Sequence, residues 1–326
     1  MLSRHADACY WIGRYVERAE ASARMMDVHY HAALEAPNSS PFSPNTSQLW
    51  KSLLDIMGTY ETFISRYESE NDRAVFQFFI FDMENANSIL STWSRARENA
   101  RSIREQIASE MWESLNISYM QLREWNVDGV IAMPHAFFRM VKDCSHLFQG
   151  ILNRTMLMGE TRDWLDSGRF LERANQTAKM LDVKYHVLIP ENLISDHGSQ
   201  QRLKTELDTH SWMAVLKSVS AFEMYRKTHQ DGITPEHVVD FLVLNSQFPA
   251  SVRHGIGRVE GCIKRISGNA GDAPKCEPEF LLGKLRADLT YASAEDIMEK
   301  GLHQFLNSVL DRSNAIGSAI RSTYLS

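Results

Sequence analysis

Apolar residues along the first thirty positions recur at helical spacing. Ile12, Val16, Ala19, Ala23, Met26 and Tyr30 follow one another at steps of four and three, which places them on one stripe of a 3.6-residue helix. Comparable patterning predicts further helices over 48–66, 71–82, 85–108, 109–126, 134–155, 160–188, 203–228, 235–244, 249–267, 278–290 and 292–322. The nearest approach to a strand is Val75-Phe76-Gln77-Phe78-Phe79-Ile80-Phe81, but its flanks are helical, so it reads as a buried helix. Nowhere does clean two-residue alternation run between turn residues. Prolines punctuate the pattern. Pro37, Pro41 and Pro44 mark one loop, and Ser267 to Pro274, extending to Pro278, marks another. Pro134 suits a first helical turn, and Pro190, Pro235 and Pro249 sit where helices can stop or start. The expected fold is all-α, a multi-helix bundle or array.

The first helix is repeated. Residues Gly13–His31 align without a gap on Gly168–His186, at an offset of 155 residues, and 11 of the 19 positions are identical. Chance does not produce such a match, so an internally duplicated long helix is expected. The chain reads as a single helical domain over 1–326, or as two pseudo-equivalent halves, 1–155 and 156–326.

The identities are not confined to the apolar stripe. Arg14, Glu17, Arg18, Met25 and Val28 lie on roughly the opposite side at 100° per residue. Their counterparts Arg169, Glu172, Arg173, Met180 and Val183 are unchanged, while Glu20, Arg24 and His29 are replaced by Asn175, Lys179 and Lys184. A freely solvated face would differ throughout, so this Arg-Glu-Arg face is expected to pack against something. Charges held there need partners, since leaving one unpaired in a dry place costs several kcal/mol. One glutamate cannot neutralise two guanidiniums, so each copy has a positive charge to spare. Arg14, Glu17, Arg18, Arg169, Glu172 and Arg173 are therefore candidates for an ion-pair network joining helices or for an anion site, where a bidentate guanidinium suits carboxylate or phosphate.

Other constellations are weaker. Arg97, Arg101 and Arg104, flanked by Glu98 and Glu105, make a basic stripe best read as ion pairs. Asp27 with His31, and Asp182 with His186, are four residues apart, and Asp143 with His146 three apart. That spacing could serve a metal, but the paired Glu-x-x-His pattern of a helical di-iron site is absent, so no metal and no cofactor is expected. Cys9, Cys144, Cys262 and Cys276 form no CxxC pair and fit a reducing compartment. The chain shows no Gly-x-Ser-x-Gly and no P-loop. A net charge of −6 argues against a nucleic-acid binder. Apolar runs fall short of the ~20 residues that cross a bilayer, and the N-terminus lacks a secretory pattern, so a cytoplasmic protein is expected.

The segment Tyr10-Trp11-Ile12-Gly13-Arg14-Tyr15-Val16-Glu17-Arg18-Ala19-Glu20 resembles the opening of the bacterial alpha-E family, a helical domain named for a Glu-Arg motif. Ala96 to Ile107, Glu110 to Asn116, Gly168 to Ala174 and Phe248 to Arg253 are similar to further stretches of that family. The late string Gly257-Arg258-Val259-Glu260 departs from its Glu-Arg-Ala-Glu form. The resemblance implies a circularly permuted ATP-grasp-type protein and a transglutaminase-like protease as partners, sometimes with a proteasome-like peptidase. It thus implies an accessory role in amide-bond formation or peptide processing. An enzyme or ligand-binding protein for an anionic substrate, built on the duplicated clusters, is the alternative.

Overall fold

A computed structural model describes residues 1–35, 50–51, 53–55, 57–188, 209 and 211–325, leaving aside the side chains of 32–35 and 183–188. The described residues hold helices and no strand. Two long helices organise the fold: α1 (Ser3–Glu35) and α8 (Glu160–Leu188). Between them come α2 (Tyr60–Ile64), α3 (Asp72–Phe76), α4 (Ile89–Ser102), α5 (Ser109–Glu124), α6 (Val127–Ala132) and α7 (Pro134–Thr155). After α8 come a helical stretch at 211–218, then α9 (Phe222–Thr228), α10 (Pro235–Val239), α11 (Val252–Ile266), α12 (Glu277–Tyr291), α13 (Ala294–Lys300) and α14 (Leu302–Ile320).

The expected loop around Pro37–Pro44 and residues 203–208 lie outside the described residues. Three predicted helices are broken. Gly58, at φ +63°, separates the helical residues 53–55 from α2. Ser220, at φ +53°, ends the stretch before α9. Gly301, at φ +105°, divides the expected 292–322 helix into α13 and α14. Each break is a left-handed residue that a right-handed helix cannot continue through. The Val75–Phe81 run is helical, passing from α3 into a π turn at Gln77–Phe81.

α1 and α8 cross at very close range, because glycine sits at the contact on both sides. A Cβ on Gly13 would lie 2.1 Å from the Leu165 carbonyl oxygen, and one on Gly168 would lie 2.0 Å from that of Tyr10. Tyr10 and Leu165 are themselves matched at the 155-residue offset, so each helix meets its counterpart through equivalent positions. Ala19, Ala23, Ala174 and Ala178 are almost fully buried and keep the surroundings of the crossing tight.

Around this crossing the same packing order occurs twice. α1 packs on α4 and α7, α4 on α5, and α5 on α7; α8 packs on α11 and α14, α11 on α12, and α12 on α14. The approach to α4 and the approach to α11 also match. In each, a short α-helix runs into a π turn, Gln77–Phe81 or Asp240–Leu244. The following side chain then takes two backbone N–H groups: Asp82 from Glu84 and Asn85, Asn245 from Gln247 and Phe248. Six residues after each, Ser88 or Ser251 caps the next helix by accepting from the N–H of Ser91 or His254.

Candidate functional site

The two Glu-Arg pairs exchange partners across the crossing. Arg18 on α1 donates from Nε to Glu172 at 2.7 Å and from Nη2 at 3.0 Å, and Arg14 adds a bond to the same carboxylate at 2.7 Å. In the opposite direction, Arg173 on α8 donates to Glu17 at 2.5 and 2.8 Å. Glu17 and Glu172 are 6% and 2% exposed, so these ions are enclosed rather than solvated. The spare cations are resolved differently in the two copies. Arg14 doubles up on Glu172, whereas Arg169 lies 2.9 Å from Asp166, one turn earlier on its own helix, as an ion pair without a hydrogen bond, its Nε buried and unpartnered. Arg18 also reaches Asn87, and Arg173 reaches Gln149.

The protonation energetics follow the pairing. Burial works to raise the Glu172 carboxyl, but Arg18 and Arg14 outweigh it and hold the group well below the usual range. Burial leaves Glu17 raised, with Arg173 opposing and nearby Glu20 adding to the rise. For Glu20, burial is offset by hydrogen bonds from His146 and by Arg24, and its pKa is held down at about 2. Lys179 occupies the position matched to Arg24, but Asn175 stands where α1 has Glu20, so that carboxylate is absent. Burial accordingly lowers its pKa.

A cleft of about 280 Å³ opens beside the Arg173–Glu17 pair. Glu17, Glu20 and Arg173 line it, and Gln149 of α7 bridges the two carboxylates. Its apolar lining comes from Ala21, Met180, Val219, Phe248 and Pro249. Arg24 and His146 also line it: both bond Glu20, and Arg24 also donates to the Ser220 hydroxyl. Gln176 lines the cleft, donates to Glu172 at 2.8 Å, and is 5% exposed, yet its Oε1 has no hydrogen-bond partner.

The other sequence candidates lie elsewhere. Arg97 bonds Asn116 and Glu98 and stacks over Trp112 and Tyr119; Arg101 pairs with Glu98, Arg104 covers Trp112, and Glu105 lies near His5. This surface belongs to α4, α5 and the turn between them, not to the crossing. Asp27 accepts from Lys142 at 2.8 Å, and its other oxygen is 3.5 Å from His31 and 3.4 Å from His135. Those three ligand atoms lie within 4.8 Å of one another, close enough to hold a metal ion. Asp182 meets His303 at 2.6 Å, and the His186 side chain lies outside those described. Asp143 faces Arg139, apart from His146. Arg258 stacks on Phe170, while Glu260 bonds Arg286. Cys9, Cys144 and Cys262 are buried, and burial pushes the Cys9 and Cys262 thiols up to about 12.

Sequence reasoning missed the cleft. Glu20 and Arg24 carry a signal at i,i+4 spacing, as do Asp166 and Arg169 at i,i+3. Gln149, Gln176 and Ser220 carry none, because only the fold brings them together.

The arrangement defines an all-helical protein whose two long helices are joined by exchanged Glu-Arg pairs. A family described as Alpha-E, "a predicted alpha-helical domain with a conserved ER motif", matches residues 1–325, and the chain belongs to it. No curated protein and no solved structure matches. Among the described residues, no helix is long and apolar enough to cross a membrane.

Proposed function

We propose that this chain is a non-catalytic accessory or scaffold subunit of a cytoplasmic amide-bond-forming or peptide-processing system. Its partners in this reading are a circularly permuted ATP-grasp-type ligase and a transglutaminase-like protease. The observation that carries the non-catalytic part is the engagement of the Glu-Arg motif with itself. A catalytic acid, base or anion clamp must change partners during reaction. Here Arg14 and Arg18 hold Glu172, Arg173 holds Glu17, and Arg169 is ion-paired with Asp166. The motif therefore serves to fix α1 against α8. The buried thiols of Cys9 and Cys262, with pKa values near 12, stay protonated at neutral pH and are poor nucleophiles.

The test is ligase turnover with and without the purified full-length chain, together with co-purification of the two. Turnover that depends on the chain supports the reading. A ligase fully active alone that never co-purifies overturns it. The alternative, an enzyme or binding protein for an anionic substrate, draws support only from the cleft beside Arg173, whose Nη1 takes no part in the bonds to Glu17 and Gln149.

We also infer that the halves 1–155 and 156–326 descend from one ancestral unit. The ungapped repeat, the twofold packing order and the paired π-turn approaches support this.

A further inference from the structure

We propose that Asp27, His31 and His135 bind a zinc ion where α1 meets the start of α7. The site shares no residue with the exchanged Glu-Arg pairs, and it stands or falls independently of the ligase partnership.

Spacing along the chain offers two of the ligands. Asp27 and His31 are four residues apart on α1, and so lie on one face of that helix. The fold supplies the third. Pro134 sits in the first turn of α7, and His135, the next residue, approaches Asp27 through Nδ1. One ligand atom from each of the three residues lies within 4.8 Å of the other two.

The distances suit ligands of one ion better than hydrogen-bond partners. Asp27 Oδ1 is 3.5 Å from His31 Nε2 and 3.4 Å from His135 Nδ1. Both exceed the ~2.9–3.0 Å usual for an N–H···O bond. Zinc bonds of about 2.0–2.1 Å place tetrahedral ligands about 3.3–3.5 Å from one another, which is the spacing found. The matched position shows the contrast. Asp182, at the 155-residue offset from Asp27, meets His303 of α14 at 2.6 Å, a direct hydrogen bond.

The carboxylate is oriented from behind. Asp27 Oδ2 accepts from Lys142 at 2.8 Å, which turns Oδ1 towards the two imidazoles. His135 and Lys142 are seven residues apart on α7, so one face of that helix addresses both oxygens. An outer hydrogen bond of this kind is what fixes a metal-ligating carboxylate. Lys142 also offsets the carboxylate charge, so binding rests largely on the imidazole nitrogens. Nitrogen donors favour zinc over magnesium or calcium, which take oxygen ligands. Asp27 is buried, but the His31 and His135 side chains are 51% and 63% exposed. Their rings can therefore rotate to close on the ion without repacking the core. Three protein ligands leave a fourth position for water. The bound ion ties the far part of α1 to the first turn of α7.

The experiment is isothermal titration calorimetry of zinc into the chelator-treated full chain, free of any polyhistidine tag, with thermal melting alongside. One zinc binds per chain at micromolar affinity or tighter and raises the melting temperature, while magnesium does neither. His31→Ala and His135→Ala each weaken zinc at least about tenfold, since loss of even an outer-shell partner costs a metal site that much, and each abolishes the zinc-dependent rise in melting temperature. Both side chains are largely exposed, so both variants keep their helix content by far-UV circular dichroism. Three results each overturn the proposal: no zinc binding up to about 100 μM, affinity unchanged in either variant, or magnesium binding as tightly as zinc.

Discussion

Replacing Gly13 by alanine adds one methyl group at the point where α1 touches α8. That methyl would stand 2.1 Å from the Leu165 carbonyl oxygen and 2.9 Å from the Arg169 nitrogen. Both neighbours are backbone atoms of a helix, so neither can swing aside as a side-chain tip could. Ordinary contact begins near 3.4 Å, so the helices must part locally by more than an ångström. The same movement stretches the Arg14–Glu172 bond, now 2.7 Å. Overpacking in a rigid core costs about 1–3 kcal/mol, occasionally more, and weakening enclosed ion pairs adds to it. Against this stands the gain of about 0.5–1 kcal/mol that alanine brings over glycine inside a helix. Gly13→Ala should therefore lose roughly 3 kcal/mol net. Gly168→Ala, with its methyl 2.0 Å from the Tyr10 carbonyl, should lose as much. Gly257→Ala in α11 is the control: nothing lies within 4 Å of its added Cβ, so it should gain stability. Urea unfolding followed by circular dichroism reads all three. The double variant should lose less than the sum, because the first methyl already parts the helices. Gly13→Ala and Gly168→Ala as stable as Gly257→Ala would refute the close crossing.

Further predictions concern charge and thiols. Glu20 has a folded pKa of about 2, below its unfolded value near 4.3, so its stabilisation is complete above the unfolded value. It is lost as pH falls from about 4.5 towards 2, and amounts to on the order of 3 kcal/mol, partly offset by the raised Glu17. Glu20→Gln should therefore flatten the stability profile between pH 5 and 2 in acid titrations followed by thermal melting; an unchanged slope counts against the pairing. Cys9, Cys144 and Cys262 are buried and Cys276 is partly exposed, so a thiol reagent at neutral pH should label Cys276 first, by peptide mass mapping. Lys179→Met should raise stability at neutral pH, because it removes an ammonium that burial disfavours; a lower melting temperature would argue otherwise.

Long elements were legible where periodicity and punctuation agreed. α7 spans Pro134–Thr155 because Pro134 sits in its first turn, and α8 runs Glu160–Leu188 as its apolar pattern requires. Breaks at Gly58, Ser220 and Gly301 were illegible, because the apolar pattern continues through them while the backbone turns left-handed. The enclosure of the Arg-Glu-Arg face could be read from the unequal match between segments 13–31 and 168–186. Its partners could not: Glu17 finds Arg173 156 positions away. The cleft was hidden for the same reason. Its side chains come from α1, α7, α8 and two loops, each unremarkable in its own segment.

The exchange of ion pairs between α1 and α8 is tested most directly by a double-mutant cycle on Glu17→Gln and Arg173→Met, read by chemical denaturation. Each single change should cost roughly 3–5 kcal/mol, because it strands a buried charge, and the coupling between them should exceed about 1.5 kcal/mol. Single losses below about 0.5 kcal/mol that simply add, as for a pair in water, would contradict the claim that these residues hold the helices together.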